Sequence, residues 1–427
     1  MDNRIAPGAA FGHLPPGGNA GRPAEPDPRR SLGARGAELS VELCVERSAE
    51  LGADRTAAGF VLNGRFLTRQ ATGVDRFATE LLRAVHAAGM QAPTALIPHG
   101  PHGPHGAAAT ASSRTTAAMA TGPWAPRAVG RRSGHAWEQI DLPRAAGEQA
   151  LVNLCNAAPA LRARQMVVIH DAASAANPGN YTFAFRSWYR VLLSALMRRS
   201  RVVATVSCFS ADELQRHFGP RSARQGGLEI IGEGGEHILR EPADLGIVQR
   251  LGLEGRRYVL AVGSRSPNKN FEGVLKALAL LPHPDLLLVA TGGQASAIFG
   301  KTGTLADPRL VSAGYVSDAE LRALYENAAC FAFPSFYEGF GLPPLEAMCC
   351  GCPVVVSRRA SLPEVCGDAA LYCEPDDPAT LAAALARILD SRSLRDELAD
   401  AGRERAAAWT WAAAGRQFRQ IVEARLA

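Results

Sequence analysis

Lysine is nearly missing from this 427-residue chain: only Lys269, Lys276 and Lys301 occur, and arginine carries the rest of the positive charge. The net charge of +5 comes without a basic stripe interleaved with stacking aromatics, which disfavours a nucleic-acid binder. No apolar run approaches the roughly 20 residues needed to span a bilayer, and the longest candidates, such as 191–197, sit between arginines. After Arg4 the chain is rich in Pro and Gly rather than continuously apolar, so no secretory signal is expected. Nine cysteines without regular spacing do not suggest a disulfide framework, and a reducing, cytoplasmic setting is the expectation. What is present is ordinary globular material, 47% hydrophobic and 20% charged. It suffices for two cores, since a single core stops growing at about 250–300 residues.

Residues 1–57 are dominated by Gly, Pro, Ala and Arg and are expected to form a disordered tail. From residue 58 short apolar runs alternate with helical periodicity. Strands are expected at 59–63, 94–97, 151–154, 166–169 and 201–205, with helices from Val74 and over 183–199 and 210–218. The segment 98–132, rich in Gly, His, Ala, Ser and Thr, reads as a long mobile loop. In the second half, strands are expected at 258–262, 285–290, 330–333 and 353–356. Helices are expected over 271–281, 317–328, 343–350 and 378–389, with Ser317 and Glu320 forming a capping box. Strands alternating with helices imply parallel sheets with right-handed crossovers. The expected fold class is α/β: two Rossmann-like domains, 58–240 and 241–408, whose parallel sheets face a cleft, with a final helix over 409–427.

The most informative stretch is 330–357, CFAFPSFYEGFGLPPLEAMCCGCPVVVS. A strand ends at Phe333, Glu338-Gly339-Phe340-Gly341 turn tightly, and a helix begins near Pro343, where proline costs no hydrogen bond. The amides around Gly341 and Leu342 then point into the cleft at the C-terminal edge of a parallel sheet, a site that favours phosphate. Glu338 and Glu346, eight positions apart, suit hydroxyl binding on either side of a diphosphate, and as ionised carboxylates they need no shifted pKa to accept hydrogen bonds. The bland alternative is a capping glutamate and a surface glutamate. Lys269, in a loop after a strand, can neutralise a diphosphate. Cys349-Cys350-Gly351-Cys352 contains a C-x-x-C, but a closed zinc site needs a second ligand pair and none is evident. Packing explains these cysteines better, and loop solvation explains Asp376-Asp377.

In this setting the E-x7-E element resembles the donor-site signature of retaining glycosyltransferases of family four, which have the GT-B fold. The likeness extends through 258–263, Pro267-Asn268-Lys269-Asn270, 314–321, 361–365 and 367–370, and more weakly through 63–66, 72–77, 168–171 and 205–210. It covers roughly 59–427, leaving out the tail and the 98–132 loop. The resemblance implies a donor site of Gly73, Ser264, Arg265, Lys269, Tyr315, Glu338, Phe340, Gly341, Leu342 and Glu346, with Glu338, Lys269 and His170 at the catalytic centre. Glu338 would hold donor-sugar hydroxyls and Glu346 the ribose hydroxyls, with Asp171 a helper of loop or acceptor geometry. Arg265 is a candidate assisting cation, but the family commonly places that basic residue one position earlier, where Ser264 stands, and this departure leaves the second phosphate contact open.

The implied activity is metal-independent transfer of a hexose, mannose first among them, from a nucleotide sugar to a glycan or polyprenyl-linked acceptor in polysaccharide biosynthesis. No cofactor is expected. Alternatives are a nucleotide-sugar epimerase of the same fold and a non-catalytic GT-B binding partner. A pyridoxal-dependent phosphorylase would need a dedicated lysine that so lysine-poor a chain hardly offers. The segment 183–201, mixing aromatics, leucines and arginines, reads either as a peripheral contact with the inner face of a membrane or as an amphipathic helix burying Trp188, Leu192 and Leu196.

Overall fold

Runs of Val, Leu, Ile and Ala too short for helices become strands, and most of them are buried on both faces, as parallel strands must be. In the computed structural model the described residues are 59–69, 72–99, 122–222, 225–263, 267–292 and 307–426. The first sheet holds β1 (Phe60–Asn63), β2 (Thr94–Pro98), β3 (Ala125–Val129), β4 (Ala150–Asn153), β5 (Gln165–Val168), β6 (Val202–Thr205) and β7 (Glu229–Ile230). The second holds β8 (Tyr258–Val262), β9 (Leu287–Thr291), β10 (Leu310–Gly314), β11 (Cys330–Phe333), β12 (Val354–Ser357) and β13 (Leu371–Cys373). Their orders are β3-β2-β1-β4-β5-β6-β7 and β10-β9-β8-β11-β12-β13, with every pairing parallel. Each order reverses once, at β1/β4 and at β8/β11, and the crevice beyond the carboxyl ends there is where open α/β sheets bind ligands.

Among the described residues, the helices that matter here are α1 (Gly73–Ala87), α2 (Phe183–Arg199), α3 (Cys208–Phe218), α4 (Phe271–Ala279), α5 (Asp318–Asn327), α6 (Leu342–Cys349), α7 (Leu362–Cys366), α8 (Pro378–Asp390), α9 (Arg392–Ala407) and α10 (Trp411–Arg425). α1 buries Phe77, Ala78, Leu81, Leu82 and Val85, the stripe its spacing implies. At α5 the capping box forms as expected: Ser317 Oγ accepts from the Glu320 amide at 3.2 Å, and Glu320 Oε2 accepts from the Ser317 amide at 2.7 Å. α10 carries the chain back onto α1, with Phe418 edge-on to Phe60 at 6.1 Å and Gly415 lying close against Ala84.

Several features depart from the sequence expectations, among them β7, β10 and β13, which were not expected as strands. The described part of the 98–132 loop contains β3, an exposed edge strand with Pro126, whose sequence APRAV has no apolar alternation to reveal it. α9 buries only Leu398, Gly402 and Ala406, too few to stand out in RSLRDELADAGRERAA. α2 buries Leu192 and Leu196 but leaves Trp188 37% exposed, and its buried residues all fall in the second half of the helix. The 1–57 tail lies outside the described residues.

Candidate active site

The β11–α6 loop is shaped by two glycines. Gly341 has φ +116°, and a Cβ there would stand 2.9 Å from Leu362 Cδ2. At Gly339 a Cβ would sit 2.6 Å from the His170 carbonyl oxygen, so only glycine lets the loop touch the end of β5. Serine hydroxyls hold the loop's carbonyls. Ser361 donates to Glu338 O (3.0 Å) and Phe340 O (2.5 Å), while Ser207 and Ser210 reach Gly339 O at 2.6 and 2.9 Å. With its acceptors fixed, the loop delivers the Gly341 and Leu342 amides to the start of α6, where no intrahelical acceptor exists for them.

Lys269 ends a one-turn helix after β8. Its Nζ lies 2.7 Å from Glu338 Oε1 and 4.7 Å from the centre of the Phe333 ring. Asn270, at φ +52°, ties this turn in place: its amide donates to Pro334 O and Pro375 O while its Oδ1 caps α4 at Gly273. Glu346, 5% exposed, accepts from His237 Nε2 at 2.9 Å and lies 3.2 Å from the Tyr325 hydroxyl. Burial, and then the Glu346 charge, push the Tyr325 phenol far up, keeping it a donor. Phe340 packs edge-on to Trp409 at 5.2 Å, and Leu342 is buried beside it. Tyr315, just past β10, exposes 65% of its surface, and Gly73 is exposed in the first turn of α1. Ser264 and Arg265 lie outside the described residues.

His170 follows β5 and is 5% exposed. Its Nε2 sits 2.9 Å from Leu154 O, its Nδ1 3.7 Å from Glu233 Oε1, and its ring stands edge-on to Phe77. Both ring nitrogens therefore face protein groups. Burial pushes the neighbouring Asp171 carboxyl up, opposed by the Ala173 amide and by His170. Glu338 and Lys269 also act on Asp171, so the end of β5 and the β11–α6 loop share one electrostatic environment.

Several contacts that sequence reasoning missed join the two sheets' helices. Glu364 of α7 accepts from the Cys208 and Phe209 amides at 2.8 and 3.1 Å, capping α3 from across the cleft. Arg76 of α1 clamps Asp318 of α5 through two bonds of 2.7 Å, and Asn180 Nδ2 donates to Asn268 Oδ1 at 2.7 Å. Beside the first switch point lies a small, open recess lined by Asn63, Arg65, Phe66, Arg69, Glu138, Leu154 and Cys155. Its arginines are paired, Arg65 with Glu138 and Arg69 with Asp75. Burial raises the Cys349 thiol to about 12 and pushes the Cys352 thiol well above its ordinary value, so both are held as neutral thiols. Among the described residues no group of three His, Cys, Asp or Glu is arranged to hold a metal ion. Asp376 pairs with Arg359, and Asp377 caps the Ala379 amide.

Residues 247–405 match the family described as Glycosyl transferases group 1. The matched segment contains the whole second sheet, Lys269, Glu338 and Glu346. The chain is 36% identical over 221 residues to O-antigen chain mannosyltransferase B of Escherichia coli, covering 50% of this chain and 58% of that protein. Over 255 residues it is 32% identical to the MMP alpha-(1->4)-mannosyltransferase of Mycolicibacterium hassiacum, covering 57% and 59%. The matches thus span about three fifths of these curated relatives. Among solved structures, HepE of Anabaena in complex with UDP superposes with a TM-score of 0.64 at 16% identity, covering 87% of this chain and 100% of that one. The sucrose-phosphate synthase of Thermosynechococcus elongatus gives 0.62 at 19% identity, covering 87% and 99%. The fold is GT-B: two parallel-sheet α/β domains facing one cleft.

Proposed function

We propose that the chain is a retaining glycosyltransferase that moves a hexose, mannose foremost, from a nucleotide diphosphate sugar to a hydroxyl of a glycan or lipid-linked acceptor in polysaccharide assembly. The observation that carries this reading is the Lys269 ammonium, 2.7 Å from Glu338 at the corner where the glycine loop opens α6. The ammonium pairs with Glu338, and a bound diphosphate would share it. As the bond between the sugar's anomeric carbon and the phosphate oxygen breaks, charge grows on the departing diphosphate. Lys269 and the Gly341-Leu342 amides are aimed at that charge, and stabilising such charge is usually the main source of rate enhancement. The acceptor oxygen bonds to the anomeric carbon from the leaving group's face, and its proton passes to a diphosphate oxygen. Glu338 and Glu346 hold hydroxyls of the sugar and of the ribose, and exposed Tyr315 offers a surface for the base.

The mannosyltransferase names of the sequence relatives support mannose and polysaccharide assembly. The UDP complex of a structural neighbour supports a nucleotide donor. The exposed Phe183, Phe185, Trp188 and Val191 on α2, with Arg186 and Arg190 between them, support an acceptor presented at an anionic membrane surface.

The test is thermal stabilisation by UDP and by GDP, followed by turnover of UDP-glucose and GDP-mannose with a polyprenyl diphosphate-linked glycan. A product keeping the donor's anomeric configuration is expected. Conversion of the nucleotide sugar without acceptor would assign an epimerase, and stabilisation by neither nucleotide would refute the donor site.

A further inference from the structure

Glu346 is not held by its own helix alone. His237, its side chain fully buried, gives Nε2 to Glu346 Oε1 at 2.9 Å. Its other nitrogen, Nδ1, lies 3.1 Å from the indole Nε1 of Trp411, the first residue of α10. An indole N–H can only donate, so Nδ1 must be the acceptor and the proton of the neutral ring must sit on Nε2, aimed at the carboxylate. The Trp411 backbone amide also donates to Glu236 Oε1 at 2.6 Å, so the 236–237 turn and the start of α10 are joined twice. Trp411 packs in turn against Phe77 of α1 at 6.0 Å.

We propose that His237, with its tautomer set by Trp411, is a positioning residue that fixes the Glu346 carboxylate for the donor's vicinal hydroxyls. An ionised carboxylate has about four acceptor sites. His237 takes one, and the Tyr325 hydroxyl, shared with Pro343 O at 3.3 Å, reaches a second. The remaining pair suits a diol. The same chain of bonds ties that carboxylate to α10, so docking of the terminal helix on α1 and donor binding reinforce each other. This inference rests on the donor-site reading above.

The test measures UDP and GDP affinity by calorimetry on the full chain for wild type, His237→Leu, His237→Gln and Trp411→Phe, with ¹⁵N-histidine spectra of wild type and Trp411→Phe. His237→Leu should weaken the nucleotide that wild type binds by at least about tenfold, the size of one hydrogen bond to a charge. It should raise donor KM far more than it lowers kcat. His237→Gln, which keeps a donor toward Glu346, should recover most of the affinity. Wild type should show His237 protonated on Nε2 alone, and Trp411→Phe should lose that pure signature. Wild-type affinity in His237→Leu, equal weakening by Leu and Gln in variants that melt like wild type, or an Nδ1–H tautomer in wild type would each overturn the proposal. Wild type binding neither nucleotide would remove the donor site and this role together, whereas tight wild-type binding untouched by His237→Leu removes the role alone.

Discussion

Replacing Lys269 by Met separates what the ammonium does for the fold from what it does for the reaction. Its side chain and that of Glu338 are only 18% and 13% exposed, so the pair is neither a surface bridge nor a fully buried one. Removing the cation leaves a largely desolvated carboxylate without its partner, at a cost of about 1–2 kcal/mol, below that of breaking a fully buried pair. In a domain of this size that lowers the melting temperature by about 2–4 °C per kcal/mol. The catalytic loss should be larger. A preorganised group facing developing charge is worth about 10²–10³ in kcat. Adding Glu338→Gln neutralises the stranded carboxylate, so the double variant should regain most of the lost stability and none of the turnover. Melting curves and donor turnover on wild type, Lys269→Met, Glu338→Gln and the double variant make the comparison. Turnover within threefold of wild type in Lys269→Met, or activity returning along with stability in the double variant, would refute the reasoning.

Glu364→Ala removes a cap that α3 receives from the opposite domain, and should cost about 1 kcal/mol in urea unfolding, the usual worth of an N-cap. Burial pushes the Asp318 carboxyl up, but the Arg76 charge and its two hydrogen bonds more than reverse this, so its folded value lies below the ordinary carboxylate range. The stabilisation is therefore complete above about pH 4 and lost as pH falls through the lowered folded value. Asp318→Asn should be less stable at pH 7 and show a flatter acid limb in melts between those pH values. Replacing Phe183 and Trp188 together by Ser should reduce co-sedimentation with phosphatidylglycerol vesicles while leaving nucleotide affinity unchanged; undiminished sedimentation would count against a membrane role for α2.

The second domain was the more legible half because its signals are local. YVLAV and CFAF can hardly be anything but buried strands, the Ser317/Glu320 box announces α5, and the proline pair after Gly341 marks the start of α6. The family resemblance, not local pattern, implied that Lys269 and Glu338 serve one site, although 69 positions separate them. What stayed hidden depends on pairing at long range. His237 meets Trp411 across 174 positions and Glu364 meets Cys208 across 156, and no periodicity encodes either contact. Ser207 and Ser210 look like ordinary helix-start residues, and their hold on Gly339 O exists only once the two domains are folded together, whereas Ser361 holds Glu338 O and Phe340 O from within its own domain. β3 escaped for a different reason: an exposed edge strand containing proline lacks the apolar alternation by which strands are recognised.

A crystal structure with UDP or GDP bound, whichever stabilises the chain, bears most directly on the donor corner. The account predicts the diphosphate between Lys269 Nζ and the Gly341-Leu342 amides, with the ribose hydroxyls on Glu346. A diphosphate seated instead in the recess lined by Arg65 and Arg69, with Lys269 still bound only to Glu338, would contradict it.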